Sequence, residues 1–204
     1  MNFLSGHNIS SVACAAMLPF GTLLQQPVPT EVVYKHTAQG DLQLFCFQPT
    51  DDKSKGACPA AVWIHGGGWT GGTCESFFPM ARYTATRGAA SFVVEYRLVK
   101  TNGTVTVADC VADCKSAVRY LRSHAAELSI DPHRIAVLGE SAGGHLAACV
   151  GTLDGFDDPA DNLRISARPD ALVLYNPLTD FTQSNFSHLL TNCTATDEKA
   201  KLAR

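Results

Sequence analysis

The residue best suited to chemistry in this sequence is Ser141, which lies in the segment Gly139-Glu140-Ser141-Ala142-Gly143. A serine hydroxyl acts as a nucleophile when a sharp turn between a strand and a helix exposes it to a general base. The residues two before and two after it must then be very small, and both are glycine. An apolar run precedes the segment and a helical pattern follows it. The segment therefore predicts Ser141 as a catalytic nucleophile for acyl transfer.

A second segment with chemical potential is His65-Gly66-Gly67-Gly68-Trp69, which directly follows an apolar run upstream of Ser141. Attack on an ester carbonyl builds negative charge on oxygen. Each backbone N–H already aimed at that charge lowers the barrier by about 3 kcal/mol. Three glycines allow such a geometry, and the Ala142 N–H at the positive end of the next helix adds a donor. The glycine run alone fits a plain tight loop equally well, but together with the serine turn it predicts an oxyanion hole.

Apolar runs and turns predict the elements that position these two segments. Two short runs on either side of Gly40-Asp41 predict a hairpin of two strands. Continuously apolar runs are typical of strands that are buried on both faces of a parallel sheet. Such runs are Ala60–Ile64, Ala89–Glu95, Arg134–Leu138 and Ala171–Tyr175. Helical segments lie between them, so the fold class is α/β, with a mostly parallel, doubly wound sheet that carries an N-terminal hairpin.

The clearest helix is predicted over residues 105–128. Its apolar residues recur at steps of four and three and form one buried stripe. The stripe consists of Val107, Val111, Cys114, Val118, Leu121, Ala125 and Leu128. Lys115, Arg119, Arg122 and Glu127 fall off it and are expected on a solvated face. The pair Asp131-Pro132 is expected to mark the stop before the next strand.

Composition limits the classes of function. The chain has 204 residues, 46% of them hydrophobic and 17% charged, with a formal net charge of -3 and no basic cluster. This predicts one globular domain, no nucleic-acid partner and a small neutral or weakly charged substrate. Eight cysteines show no paired CxxC, and Cys110 and Cys114 are expected to pack in the core, so a metal site is not expected. Acyl transfer on a serine implies no organic cofactor. Trp69 is expected to line the substrate cleft.

Residues 1–30 differ in composition from the rest, since the first Lys or Arg is Lys35. Ile9–Leu24 is largely small and apolar, which favours an export signal and a secreted or periplasmic protein over a cytoplasmic one. The alternative is an N-terminal arm that covers the cleft. The run is too short and too interrupted for a transmembrane segment. The predicted domain division is therefore 1–30 as signal or arm and 31–204 as the catalytic domain.

The two motifs, His-Gly-Gly-Gly-Trp and Gly-Glu-Ser-Ala-Gly-Gly, resemble those of the hormone-sensitive-lipase-like and acetyl-esterase branch of the α/β-hydrolase family. Glu95-Tyr96-Arg97-Leu98 and the stretch from Tyr175 to Asp180 resemble further strand ends of that branch. The resemblance implies a serine carboxylic-ester hydrolase that forms an acyl-enzyme on a small-molecule ester. It also implies Ser141 as nucleophile and Gly67, Gly68 and Ala142 as oxyanion donors.

The same resemblance implies a catalytic acid and then a histidine base after two further strands, which are not visible before Arg204. The chain is therefore expected to be a partial α/β-hydrolase domain whose last strands are missing. Asp180 and His188 follow Ser141 in the required order and form a fallback acid and base, although little chain separates them. His65 is expected to shape its loop, and His145 to pack locally.

Three alternatives remain open at this point. The same scaffold serves arylformamidases and serine peptidases, which only their activity separates from esterases. The chain could also be a catalytically inactive pseudo-hydrolase that binds a ligand or partner.

Overall fold

The computed structural model describes residues 28–49, 57–101 and 103–180. The strands are β1 (Thr30–Thr37), β2 (Gly40–Phe47), β3 (Cys58–Ile64), β4 (Ala90–Val94), β5 (Ile130–Glu140) and β6 (Ala171–Tyr175). The α-helices are α1 (Phe78–Ala85), α2 (Val107–Ser123) and α3 (Ala142–Thr152), and a 3-10 turn, Cys74–Phe77, leads into α1. The predicted export signal lies outside the described residues, and the division at residue 30 stays a prediction.

The strands form one sheet in the order β1-β2-β4-β3-β5-β6. β1 pairs with β2 and β2 with β4 in antiparallel fashion, whereas β3 pairs in parallel with β4 and β5, and β5 in parallel with β6. This confirms the predicted hairpin and the mostly parallel sheet. In the register, Ile64 lies opposite both Val94 and Gly139. The segments that follow β3, β4 and β5 therefore meet at one edge of the sheet, where ligands bind in open α/β sheets.

The central strands are buried on both faces because each face is covered by helices. All five residues of β4 are buried. Val62 and Phe92 belong to the larger core, which includes buried residues of α2 and α3. Trp63 and Val93 belong to a smaller core that includes buried residues of α1. The sheet is therefore doubly wound, as the apolar runs predict.

Helix α2 is shorter than predicted: it begins at Val107, the first residue of the apolar stripe, and ends at Ser123, before the last two residues of the stripe. Thr106 caps its start: the Asp109 N–H donates to Thr106 Oγ1 at 3.3 Å, and the Thr106 N–H donates to Asp109 Oδ2 at 2.7 Å. This reciprocal pair is a capping box. The predicted stripe is buried from Val107 to Leu121, and the turns after Ser123 continue it with Ala125 and the partly buried Leu128.

The predicted solvated face of α2 is wrong for two residues, since Lys115 and Arg119 are buried at 3% and 9% exposure. Lys115 Nζ donates to the Leu153 carbonyl at 2.8 Å and to the Gly155 carbonyl. Arg119 pairs with the carboxylates of the segment that follows α3, at 2.6 Å to Asp157 and 2.9 Å to Asp161. That acidic segment covers both cations. Glu127 is exposed, as predicted.

The predicted stop at Asp131-Pro132 is also wrong, because both residues lie within β5. The pairing of β5 with β3 shifts register between Cys58 and Ala60, whose partners are Ile130 and Ile135. The proline therefore falls in an irregular part of the strand, where its missing N–H breaks no regular ladder.

Beside these cations, a buried carboxylate joins three elements of the fold. Asp113 on α2 is 0% exposed and accepts from Lys35 Nζ of β1 at 2.7 Å. It also accepts two bonds from the Arg97 guanidinium, at 2.8 Å each. Lys35 pairs in addition with Asp158 at 2.7 Å. The segment after β4 is thus tied to α2, to β1 and to the loop after α3.

The Lys35–Asp158 pair predicts a pH-dependent stability. Burial is the largest single effect and raises the pKa of the Asp158 carboxyl. The hydrogen bonds from Lys35 and the Ala160 N–H, with the charges of Lys35 and Arg97, together outweigh it, so this pKa lies below its ordinary value. A depressed carboxyl pKa stabilises the fold above the unfolded value of about 3.9, and the stabilisation is lost as pH falls through the folded value. Asp158→Asn should therefore lower the unfolding free energy by about 1 kcal/mol at pH 7 and by progressively less toward pH 3.

Urea unfolding of both proteins at several pH values measures this difference. Asp154→Asn is the matched control, because the Asp154 side chain is 98% exposed and its change should be small at every pH. A difference between Asp158→Asn and the parent chain that stays constant down to pH 3 would contradict the prediction.

Candidate active site

Ser141 occupies a sharp turn between β5 and α3. Its backbone has φ 55° and ψ -118°, in the left-handed half of φ space that few residues other than glycine adopt. The Ser141 N–H donates to the Tyr175 carbonyl at 3.0 Å, which anchors the turn to the end of β6. The predicted strained turn is confirmed, and such strain is typical of functional positions.

The two glycines around this turn are required by close contacts. A Cβ on Gly143 would collide with the carbonyl oxygens of Ile64 and His65, at the end of β3. A Cβ on Gly139 would collide with the Gly143 carbonyl. This confirms that both positions need the smallest residue. It also shows that the first turn of α3 lies directly against the segment that follows β3.

The glycine-rich loop after β3 reaches the serine turn. A Cβ on Gly66 would lie 3.2 Å from Ser141 Cβ and 2.9 Å from the Glu140 carbonyl oxygen. Gly67 and Gly68 have positive φ angles of 116° and 61°, and the N–H of Gly71 donates to Gly67 O at 3.0 Å. The structure thus brings the two predicted segments together, with Ala142 at 1% exposure as the first residue of α3.

His65 is built into this loop. Its side chain is 3% exposed, and Nδ1 lies 2.7 Å from the Gly66 carbonyl oxygen. Because a carbonyl only accepts, Nδ1 carries the proton. Burial lowers the pKa of His65, against smaller opposing effects of the Gly66 hydrogen bond and Glu75, which favours the neutral ring. The ring stacks on Tyr96 with centroids 4.4 Å apart. These contacts agree with the predicted role of His65 in shaping the loop.

Trp69 does not line a cleft, so that prediction is wrong. The side chain is 1% exposed, and its ring packs edge-on against His145 with centroids 5.3 Å apart. The residue has a φ of 61°, and its carbonyl accepts from the Val99 N–H at 2.8 Å. Trp69 therefore anchors the loop to the core.

His145 packs locally, as predicted. It is 5% exposed, and its Nε2 lies 3.3 Å from Cys149 Sγ, one helical turn further along α3. Burial raises the pKa of the Cys149 thiol to about 12, so the thiol is protonated and donates to the ring.

Of the fallback acid and base, only Asp180 lies within the described residues. Asp180 is exposed at the end of the segment after β6. His188 lies outside the described residues, so the pair stays a prediction.

The contact of Tyr96 with His65 was not predicted from the sequence. It is 2% exposed, and its hydroxyl donates to the His65 carbonyl at 2.9 Å. Its position two residues after the buried strand β4 is a signal in the sequence. Parallel strands end at the same edge of a sheet, so the segments that follow β3 and β4 are expected to lie close together.

A cavity of about 670 Å³ opens beside the glycine-rich loop. Its walls come from the β1–β2 turn, from residues 72–75 and from residues 95–105, and His65 contributes to them. Glu75, Glu95 and Lys100 give it polar lining, whereas Ser141 is not among the lining residues. The cavity therefore lies beside the loop and does not include the nucleophile.

The described residues contain no cluster of three His, Cys, Asp or Glu side chains placed to hold a metal ion. Cys110 and Cys114 are buried in the core at 0% and 1% exposure, which confirms their predicted packing. No helix in this part of the chain is long and apolar enough to cross a membrane.

The contacts of Gly72 predict a sensitive position in the loop. Gly72 has φ 89°, and a Cβ there would collide with the Gly66 carbonyl and lie 2.8 Å from His65 Nδ1. Gly88 has nearly the same φ, 87°, but a Cβ there meets nothing within 4 Å. Gly88→Ala should therefore cost only the left-handed strain, about 1–2 kcal/mol. Gly72→Ala should cost clearly more in urea unfolding and should displace the His65 ring; equal losses would contradict this packing.

The sheet, the serine turn and the adjoining glycine-rich loop define the architecture of an α/β hydrolase. The chain belongs to the BD-FAE family, whose sequence model matches residues 46–202.

Several similar proteins are named as esterases. The carboxylesterase NlhH of Mycobacterium tuberculosis is 41% identical over 96 residues, which are 47% of this chain and 29% of that enzyme. The acetylxylan esterase of Xylanibacter ruminicola is 28% identical over 141 residues, 68% of this chain and 26% of that enzyme. Propionate-bound esterase 2 of Thermogutta terrifontis has a TM-score of 0.72 at 36% identity, over 87% of this chain and 62% of that one. The match thus spans under a third of these two sequence relatives and about three fifths of the solved esterase.

Proposed function

We propose that the chain carries the nucleophile and oxyanion hole of a serine carboxylic-ester hydrolase that acts on small-molecule esters. The observation that carries the proposal is the left-handed turn at Ser141, in contact with the glycine-rich loop at Gly66. The relatives named as carboxylesterase and acetylxylan esterase support the same chemistry. Esterase 2 of Thermogutta terrifontis has also been solved phosphonylated by cyclosarin, at 38% identity to this chain.

In the proposed reaction Ser141 Oγ attacks the ester carbonyl and gives its proton to a base. The N–H groups of Gly67, Gly68 and Ala142 stabilise the oxyanion that forms. Its collapse expels the alcohol, which takes the proton, and leaves an acyl group on Ser141. Water then attacks the acyl-enzyme through a second oxyanion and releases the acid. No cofactor takes part.

We place the catalytic base outside the described residues. His145 Nε2 accepts a hydrogen bond from the Cys149 thiol, and His65 Nδ1 donates its proton to the Gly66 carbonyl. His188, with Asp180, is the fallback pair, and an acid and base carried by further strands is the arrangement that the family resemblance implies. The described residues favour neither the formamide and peptide alternatives nor a non-catalytic role.

The test compares the chain with a hybrid that continues after Asp180 with the corresponding remainder of Thermogutta terrifontis esterase 2. The hybrid should hydrolyse p-nitrophenyl acetate and butyrate, and should leave an aryl formamide and a peptide anilide intact. If the chain alone also hydrolyses the esters, His188→Ala decides whether the fallback pair is the catalytic one. A hybrid that folds cooperatively but cleaves none of the esters would refute the proposed function.

A further inference from the structure

One residue of the segment after β4, Tyr96, contacts the glycine-rich loop that is proposed to form the oxyanion hole. The Tyr96 hydroxyl donates to the His65 carbonyl at 2.9 Å and lies 3.5 Å from His65 Nδ1. The two rings stack with centroids 4.4 Å apart and planes inclined by 22°. Tyr96 thus contacts both the backbone and the side chain of His65.

These contacts determine the directions of two successive peptide groups. In a trans peptide the C=O and the next N–H point in opposite directions. Tyr96 holds the His65 carbonyl, which directs the Gly66 N–H the other way. The His65 Nδ1 holds the Gly66 carbonyl at 2.7 Å, which likewise directs the Gly67 N–H away from that nitrogen. The direction of a proposed oxyanion donor therefore depends on where the His65 ring lies.

Tyr96 is itself held rigidly. The N–H of its neighbour Arg97 donates to the buried Asp113 at 3.1 Å, and the Arg97 guanidinium binds both oxygens of that carboxylate. Further along the same segment, the Val99 N–H donates to the Trp69 carbonyl at 2.8 Å. Burial raises the pKa of Tyr96 far above its ordinary value, so its hydroxyl remains a donor at any assay pH. These hydrogen bonds fix the position of Tyr96 beside the glycine-rich loop.

We propose that Tyr96 is a positioning residue for ester hydrolysis, which fixes the His65 ring and thereby the direction of the Gly67 N–H in the oxyanion hole. The inference rests on the proposed function. Tyr96 touches no reacting atom in this account and acts only through His65.

Tyr96→Phe tests the inference, because it removes the hydroxyl and keeps the ring. Tyr34→Phe is the matched control: Tyr34 is 9% exposed, and its hydroxyl donates to the Glu95 carbonyl at 2.6 Å, one residue before Tyr96. Both variants lose a buried bond from a tyrosine to a backbone carbonyl, so both should lower the thermal midpoint. In the hybrid, only Tyr96→Phe should lower kcat, by about tenfold to a hundredfold, with KM changed by less than about twofold.

A second measurement does not need activity. The ¹⁵N shifts of the His65 ring should show the proton on Nδ1 in the parent chain and in Tyr34→Phe, and a mixture of tautomers in Tyr96→Phe. Equal kcat losses in both variants, or a His65 ring unchanged by Tyr96→Phe, would overturn the inference. If the parent hybrid hydrolyses no ester, the proposed function fails, and the nitrogen shifts alone then decide whether Tyr96 holds the loop.

Discussion

Ser141→Ala is expected to lower kcat of the hybrid for p-nitrophenyl acetate by at least about 10⁴-fold. The reason is that the acyl-enzyme cannot form without Oγ, while the oxyanion donors and the binding surface remain. Alanine keeps the same backbone strain at φ 55°, so the unfolding free energy should change by less than about 0.5 kcal/mol. Steady-state kinetics and urea unfolding of the same preparations measure the two effects.

Ser123→Ala is the control for this substitution. Ser123 is exposed at the end of α2, where its hydroxyl donates to the Tyr120 carbonyl at 2.9 Å and lies 3.0 Å from His124 Nδ1. Its rates should equal those of the parent. If Ser141→Ala kept a substantial fraction of the parent kcat, another residue would be the nucleophile.

Asp113→Ala is expected to give the largest loss of stability, about 3–5 kcal/mol. Asp113 is 0% exposed, and its removal leaves the ammonium of Lys35 and the guanidinium of Arg97, which are 9% and 15% exposed, without their shared partner. Since a domain is stable by only about 5–15 kcal/mol, this loss is a large share of the total. Urea unfolding should show it as a lower midpoint at an unchanged slope.

Two further variants separate buried charge from a general loss of packing. Asp154→Ala removes a carboxylate that is 98% exposed and pairs only at the surface, so it should change stability by less than about 0.5 kcal/mol. Replacing Lys35 and Arg97 by Met and Asp113 by Leu removes all three charges together, and should recover at least about half of the loss. A triple variant as unstable as Asp113→Ala would show that the charges are not the cause.

The fold was predictable where one signal decides each element. The continuous apolar runs of β3 and β4 require burial on both faces, and the stripe on α2 has a single period. The serine turn was predictable because strain at Ser141 and the space around it leave glycine as the only choice at its flanks. These are local requirements, which a sequence expresses directly.

The predictions for Lys115, Arg119 and Trp69 were wrong for one physical reason: each side chain contacts a segment that is distant in the sequence. Lys115 and Arg119 lie off the apolar stripe, yet the acidic segment after α3 buries them by pairing their charges. Trp69 follows the glycines but packs against His145 of α3. Periodicity shows which face of a helix is apolar and cannot show which later loop covers the other face.

The serine turn and the glycine-rich loop of the candidate site were predictable from the sequence, and the contacts of Tyr96 with that loop were not. Tyr96 follows a buried strand like many other residues. Its significance depends on the register that sets Ile64 opposite Val94, which brings the two strand ends side by side. Such a register arises from pairing between strands that are distant in sequence.

The central claim, that Ser141 is a nucleophile activated in this turn, is tested most directly by covalent labelling. The hybrid would be treated with an aryl fluorophosphonate, digested and mapped by mass spectrometry. We predict a single stoichiometric adduct on the peptide that contains Ser141, formed at a rate that excess p-nitrophenyl butyrate slows. An adduct on a different residue, or none on a folded hybrid that hydrolyses esters, would contradict the account.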